Sequence, residues 1–151
     1  MRKSIFKVLM IISIFTTPVV GDIKIGIVLG FTGPIRSLTP AMADSAEIAF
    51  KEASESKSLL DGKTITVMRA DSTCKDSSSA SAAAKKIISQ GVKAILGGIC
   101  SEITETILSE AAVPNEIVMI SPAATSASLT SLDDKGFFLE LHHQRLEEDK
   151  S

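Results

Sequence analysis

Strand-like and helical runs alternate along this chain, and that alternation leaves few ways for it to fold. Ile23-Lys24-Ile25-Gly26-Ile27-Val28-Leu29-Gly30 is rich in β-branched residues with partial alternation, so it reads as a strand. A Gly33-Pro34 break follows. Pro40 suits a first helical turn, and from Ala41 to Ser56 the residues Met42, Ala46, Ala49, Phe50 and Ala53 recur at helical spacing. The turn Asp61-Gly62 introduces a second strand over Lys63–Ala70. Ser77–Gln90 is an Ala-rich helix with Ala80, Ala84, Ile87 and Ile88 on one face and Gly91 at the C-cap position. A third strand covers Val92–Gly98. A third helix opens at Ser101 or Glu102 and runs to about Ala112, and Glu116–Ile120 is a fourth strand. The order βαβαβαβ predicts the α/β class: a doubly wound parallel sheet with helices on both faces.

In such sheets small ligands bind in the crevice at the carboxyl ends of the strands. Two turns lie there, Ile99-Cys100-Ser101-Glu102 and Ser121-Pro122-Ala123-Ala124-Thr125-Ser126. Each is expected to offer small residues, hydroxyls and free backbone N–H groups. If their strands are neighbours, the turns converge on one spot suited to a carboxylate. Plainer roles stand beside this one. A serine at the N-cap satisfies a free N–H, worth about 1 kcal/mol, and that is compatible with the anion attraction of a helix N-terminus. Pro122–Thr125 is either an ordinary loop after a strand or a place where the Thr125 hydroxyl and its neighbouring backbone hold a polar head group.

The 151 residues correspond to about one domain. The first 21 read as a secretory signal peptide. Arg2, Lys3 and Lys7 make a basic start, Val8–Phe15 is a short apolar run, and Pro18 precedes Val19-Val20-Gly21. The apolar run falls short of the roughly 20 residues needed to span a membrane, so the mature chain is not expected to insert directly. Cleavage after Gly21 leaves Asp22 first. The whole chain carries a net charge of −2, and removing the three cations of the leader leaves −5. That acidity argues against nucleic acid and against anionic membrane surfaces as partners. With no Trp or Tyr and six Phe, the chain also has little to stack on bases or to cage a cation.

Enzymatic readings are weak. A serine nucleophile needs a positioned base, and the only histidines, His142 and His143, lie in an odd terminal segment. Gly97-Gly98 fits neither a P-loop nor a dinucleotide fingerprint. Asp71 and Asp76 flank Cys74 on a polar turn, where acids are usually just solvated. Export puts Cys74 and Cys100 in an oxidising compartment, where pairing is the default. A loop of about 26 residues closed this way is worth about 3.5 kcal/mol on a chain-entropy estimate. Two free thiols or a metal site are the alternatives, but nothing nearby has metal-ligand spacing.

From Asp22 to Phe138 the sequence resembles the periplasmic substrate-binding proteins of branched-chain amino acid ABC transporters, the leucine/isoleucine/valine-binding type. The resemblance rests on Ile25-Gly26-Ile27-Val28 with Thr32-Gly33-Pro34, then Asp71-Ser72-Thr73-Cys74, then Gly97-Gly98-Ile99-Cys100-Ser101. It ends in Met119-Ile120-Ser121-Pro122-Ala123-Ala124-Thr125-Ser126 with Leu129-Thr130. It implies the first lobe of a type I periplasmic binding protein, a two-lobed fold that closes on an amino acid and delivers it to a membrane permease. No bond chemistry, cofactor or metal is implied. The resemblance assigns the ligand's carboxylate and ammonium to Ser101, Ala123 and Thr125, and a disulfide to Cys74 and Cys100. It also implies that the loop after the first strand touches the ligand, often through an aromatic. Here that loop is Pro34-Ile35-Arg36-Ser37-Leu38, with Leu38 near the aromatic's place.

Members of that family run to more than twice this length, so the chain is expected to be a truncated, weakly binding or inactive form. They usually continue after Phe137-Phe138 with Arg-Thr-Ala-Pro-Ser, where this chain has Leu139-Glu140-Leu141-His142-His143-Gln144. One possible coding of those six residues, read two bases on, gives the family's run. Residues 139–151 are expected to be an aberrant tail, either a frameshift product, with which such a coding is compatible, or a genuine short variant, and in either case the histidines carry no catalytic or metal-binding role. The chain's expected place is the periplasm. Two other functions remain open from sequence: an extracellular ligand-sensing receptor domain of the same lobe type, and an enzyme on a doubly wound sheet, since fold alone does not fix function.

Overall fold

The computed structural model describes residues 22–56 and 62–140. The leader at 1–21, Asp61 and the histidine pair lie outside the described residues. Five parallel strands form one sheet in the order β2-β1-β3-β4-β5. They are β1 (Ile23–Leu29), β2 (Ile65–Asp71), β3 (Ala94–Gly97), β4 (Val118–Ser121) and β5 (Phe138–Glu140). The helices are α1 (Thr39–Glu55), α2 (Ser77–Ser89), α3 (Ser101–Ile107) and the short α4 (Ala127–Thr130). A π-helical turn over Leu108–Ala112 and a 3-10 turn over Val113–Asn115 carry α3 on towards β4.

The α/β class and the doubly wound parallel sheet are as expected, and the differences lie at the ends of elements. Four strands are expected from the sequence, and the structure has five. Glu116 takes a left-handed conformation (φ 55°) outside any strand. α1 opens two residues before Ala41, because the Thr39 hydroxyl donates to the Gly30 carbonyl at 2.9 Å and anchors the first turn in a buried position. β3 is shorter than Val92–Gly98. At its start, α2 closes with two bonds, from the Gly91 N–H to the Ile88 carbonyl (2.9 Å) and from the Val92 N–H to the Ile87 carbonyl (3.4 Å). This doubled C-terminal cap sends Val92 into the core beside Ile87.

Strand alternation divides the apolar residues between the two faces of the sheet. Val28, Ile95 and Met119 face α2 and α3, where they pack with Ala80, Ala84, Ile87, Ile103, Ile107 and Leu108. Ile27 and Leu29 face α1 and pack with Ala43, Met42 and Phe50. The small side chains of Ala80 and Ala84, both fully buried, let α2 lie close to the sheet. Ile88, expected on the same face, is only partly buried there. On α1 the fully buried residues are Thr39 and Ala43, while Ala49 is exposed.

Candidate functional site

Gly97 and Gly98 shape the carboxyl end of β3. A side chain at Gly97 (φ 152°) would place its Cβ 2.1 Å from the Val28 carbonyl oxygen, and one at Gly98 would meet the Thr104 hydroxyl at 2.6 Å. The strand end thus lies tight against β1 and the first turns of α3. The glycine pair, which fits no nucleotide motif, serves this close packing.

Cys100, rather than Ser101, is the N-cap of α3, and it makes no side-chain cap hydrogen bond. Its sulfur is committed to Cys74 in a disulfide with Cα atoms 5.7 Å apart. Ser101 therefore stands one residue inside the helix. Its hydroxyl has no hydrogen-bond partner among the described residues, and the amides of Ser101, Glu102 and Ile103 have none either. The first amide of α3 with an acceptor is that of Thr104, which donates to the Cys100 carbonyl at 2.9 Å.

β4 ends beside β3, as their paired register from Ala94↔Val118 to Leu96↔Ile120 requires. The turn that follows is less open than the sequence suggests. The buried Ser121 hydroxyl donates to the Gly98 carbonyl (2.7 Å) and accepts from the Ala124 amide (2.8 Å), with the Ala123 amide at 3.4 Å. Ser121 thereby stitches the β4 turn to the end of β3, and the Ala124 N–H is not available to a ligand. Thr125 is exposed, and its hydroxyl and amide have no partner among the described residues. Ser126 caps α4 by accepting from the Ser128 amide (3.4 Å), and Ser128 in turn reaches Glu105 of α3 (3.3 Å).

β1 lies on the other side of β3. Its loop ends at Leu38, whose side chain is 62% exposed. Leu38, Ser101, Ala123 and Thr125 thus stand on the loops and turns after the three central strands, β1, β3 and β4, at the carboxyl end of the sheet. None belongs to the core. Ser101 is half-buried, and the other three are exposed.

The two acids flanking Cys74 are not simply solvated. Asp76 caps α2, accepting from the Ser78 amide at 3.1 Å, and its bonds from the Ser79 and Ser78 hydroxyls hold its carboxyl below the usual range. Asp71 takes bonds from Thr32 and Thr73. Burial pushes its carboxyl up, but these bonds prevail and leave it below the ordinary value. Sequence spacing offers no sign of the Asp71–Thr32 contact, since its partners stand 39 residues apart.

The family model for periplasmic binding proteins matches residues 22–142. The Leu/Ile/Val-binding protein of Escherichia coli (strain K12) is 30% identical over 129 residues, covering 85% of this chain and 34% of that protein. The leucine-specific-binding protein of Salmonella typhimurium is 32% identical over 109 residues, 72% of this chain and 29% of that one. The chain spans about a third of the length of these curated relatives. Among solved structures, it is similar to the branched-chain amino acid transporter substrate binding protein of Streptococcus pneumoniae in complex with isoleucine. The TM-score is 0.70 at 25% identity, over 80% of this chain and 33% of that one. A leucine binding protein from Thermotoga maritima gives a TM-score of 0.64 at 26% identity, over 78% of this chain and 32% of that one. With the parallel sheet and the family match running from β1 through β5, this chain belongs to the periplasmic binding protein family.

Proposed function

We propose that this chain is an amino-acid-binding lobe of the substrate-binding component of an ABC transporter, exported to the periplasm after cleavage of residues 1–21. It takes a branched-chain amino acid and presents it to a membrane permease. Ser101, Ala123 and Thr125 receive the charged end of the amino acid, and Leu38 lies against its side chain. Residues 22–138 make up the lobe; Leu139 and Glu140 continue it in β5, and the family match ends at residue 142. The observation that carries this reading is a pair of hydroxyls, Ser101 and Thr125, with no hydrogen-bond partner among the described residues, at the tips of two neighbouring strands. The relatives' names, which specify leucine, isoleucine and valine, support the choice of ligand. Hinged closure over the ligand belongs to a second lobe.

Good sites enclose most of a small ligand's surface. One side of a cleft leaves much of it in water, so residues 22–138 on their own bind weakly, on the order of millimolar or weaker. The test is an amide-resolved NMR titration of the 151-residue chain with L-leucine. Shifts confined to the Ser101 and Thr125 turns are expected. They should vanish in Ser101→Ala and Thr125→Val, and leucinol, which lacks the carboxylate, should not produce them. A response elsewhere, or an equal response to leucinol, sinks the assignment, and micromolar affinity by calorimetry overturns the one-sided account.

A further inference from the structure

The β1–α1 loop, residues 30–38, is fastened from outside itself. Register places Asp71 directly opposite Leu29, at the point where the loop leaves the sheet. One carboxylate oxygen accepts from the Thr32 amide (3.2 Å) and the Thr73 amide (2.8 Å), and the other from the Thr32 hydroxyl (2.5 Å). The loop also lies against the β2–α2 turn. A Cβ on Gly33 would sit 2.2 Å from the Thr73 carbonyl oxygen, and one on Gly30 would meet the Cys74 Cβ at 3.3 Å. That turn is held in an uncommon conformation, with Thr73 at φ 56° and Cys74 at φ 53°. Left-handed residues other than glycine persist where their surroundings over-determine them. Here the Asp71 carboxylate takes the Thr73 amide and a disulfide takes Cys74.

These contacts form one chain of linkages. Thr32 is bonded to Asp71, and Asp71 to the Thr73 amide. Cys74 follows, and its sulfur is bonded to Cys100, the residue before Ser101. The loop carrying Leu38 and the helix start carrying Ser101 are joined through the β2–α2 turn, which contributes no candidate ligand contact of its own. We propose that Asp71 is a positioning residue of the amino-acid site. Its carboxylate clamps the β1–α1 loop to the β2–α2 turn and so sets where Leu38 stands relative to Ser101. The ligand part of this proposal rests on the amino-acid reading above, whereas the clamp itself does not. Positioning of this kind acts on affinity by ordering the loop before the ligand arrives.

The test compares Asp71→Asn, Thr32→Val and Thr32→Ser in this chain by hydrogen exchange and by the L-leucine titration. In Asp71→Asn and Thr32→Val, exchange of the Phe31, Thr32 and Leu38 amides rises about tenfold or more, as loss of a hydrogen bond to a charged group requires. Exchange in α2 and α3 stays unchanged. Thr32→Ser, which keeps the hydroxyl, behaves like the parent. Affinity for L-leucine falls about tenfold in the first two variants, while Ser101 and Thr125 still respond. Unchanged loop exchange in both variants overturns the proposal, as does a rise spread evenly over the fold. A parent chain that ignores L-leucine removes the amino-acid reading, and the exchange comparison then decides the clamp by itself.

Discussion

Asp71 gains most of its character from partners that approach it in space. Its folded carboxyl is held below its ordinary value: burial pushes it up, and the bonds from Thr32 and Thr73 more than offset that. The unfolded chain therefore binds the proton more readily than the folded one. The stability contributed by Asp71 is fully present above the unfolded value of about 3.9 and is lost as pH falls through the lower folded value. Acid unfolding followed by far-UV circular dichroism should accordingly fall more steeply below about pH 4 in the parent than in Asp71→Asn. Superimposable profiles would show that the bonds do not discriminate between the two protonation states. Asp71 and Asp76 read alike in the sequence, as acids on a polar turn. The Asp76 cap was accessible in principle, because its partner Ser78 is two residues away. Thr32 is a long-range partner, and nothing local announces it. Ser101 opens α3 as the sequence indicates, but the N-cap is Cys100, so the plainer capping role does not fall to the serine.

At the scale of elements, the strands and helices were readable because each carries its own periodicity, and the boundaries were not. α1 begins at Thr39 because of a tertiary bond to Gly30. β5 is not marked in the sequence, because Phe138–Glu140 is only three residues long and, among the described residues, pairs with β4 alone. The close approach of β3 to β1 and α3 depends on the glycine pair. Gly97→Ala forces a Cβ to 2.1 Å from the Val28 carbonyl in a conformation that side chains rarely adopt. It should destabilise the fold by at least about 2 kcal/mol, measured as a lower urea midpoint by far-UV circular dichroism. Gly62→Ala is the milder comparison, since its added methyl meets nothing within 4 Å. Equal midpoints for the two variants would mean that the β3 end relaxes freely and that the close packing there is not a constraint.

The whole molecule covers its two sheet faces unequally. α2 and α3 bury one face across β1, β3 and β4, whereas α1 packs on the other over Ile27 and Leu29. Beyond it, Val118 is 37% exposed, and Leu139, which pairs with Ile120 two residues along on the same face, is 56% exposed. Contiguous apolar surface of this kind favours association. Sedimentation velocity over a wide range of concentration should show reversible self-association that weakens in the paired variant Val118→Lys with Leu139→Lys. A parent chain that stays monomeric throughout would mean that these residues are covered in solution. The alternation of periodicities was enough for the sequence alone to determine the α/β class and the parallel sheet, because each element carries its own local spacing. The pairing of Cys74 with Cys100 is an expectation that the family resemblance implies, and the structure has that disulfide. Tertiary structure alone decided which hydroxyls are spent internally, as at Ser121, and which have no partner among the described residues, as at Ser101 and Thr125. It also decided that a carboxylate on β2 holds the loop after β1. Hydrogen bonds depend on distance and direction in space, and for groups tens of residues apart the order of the chain encodes neither.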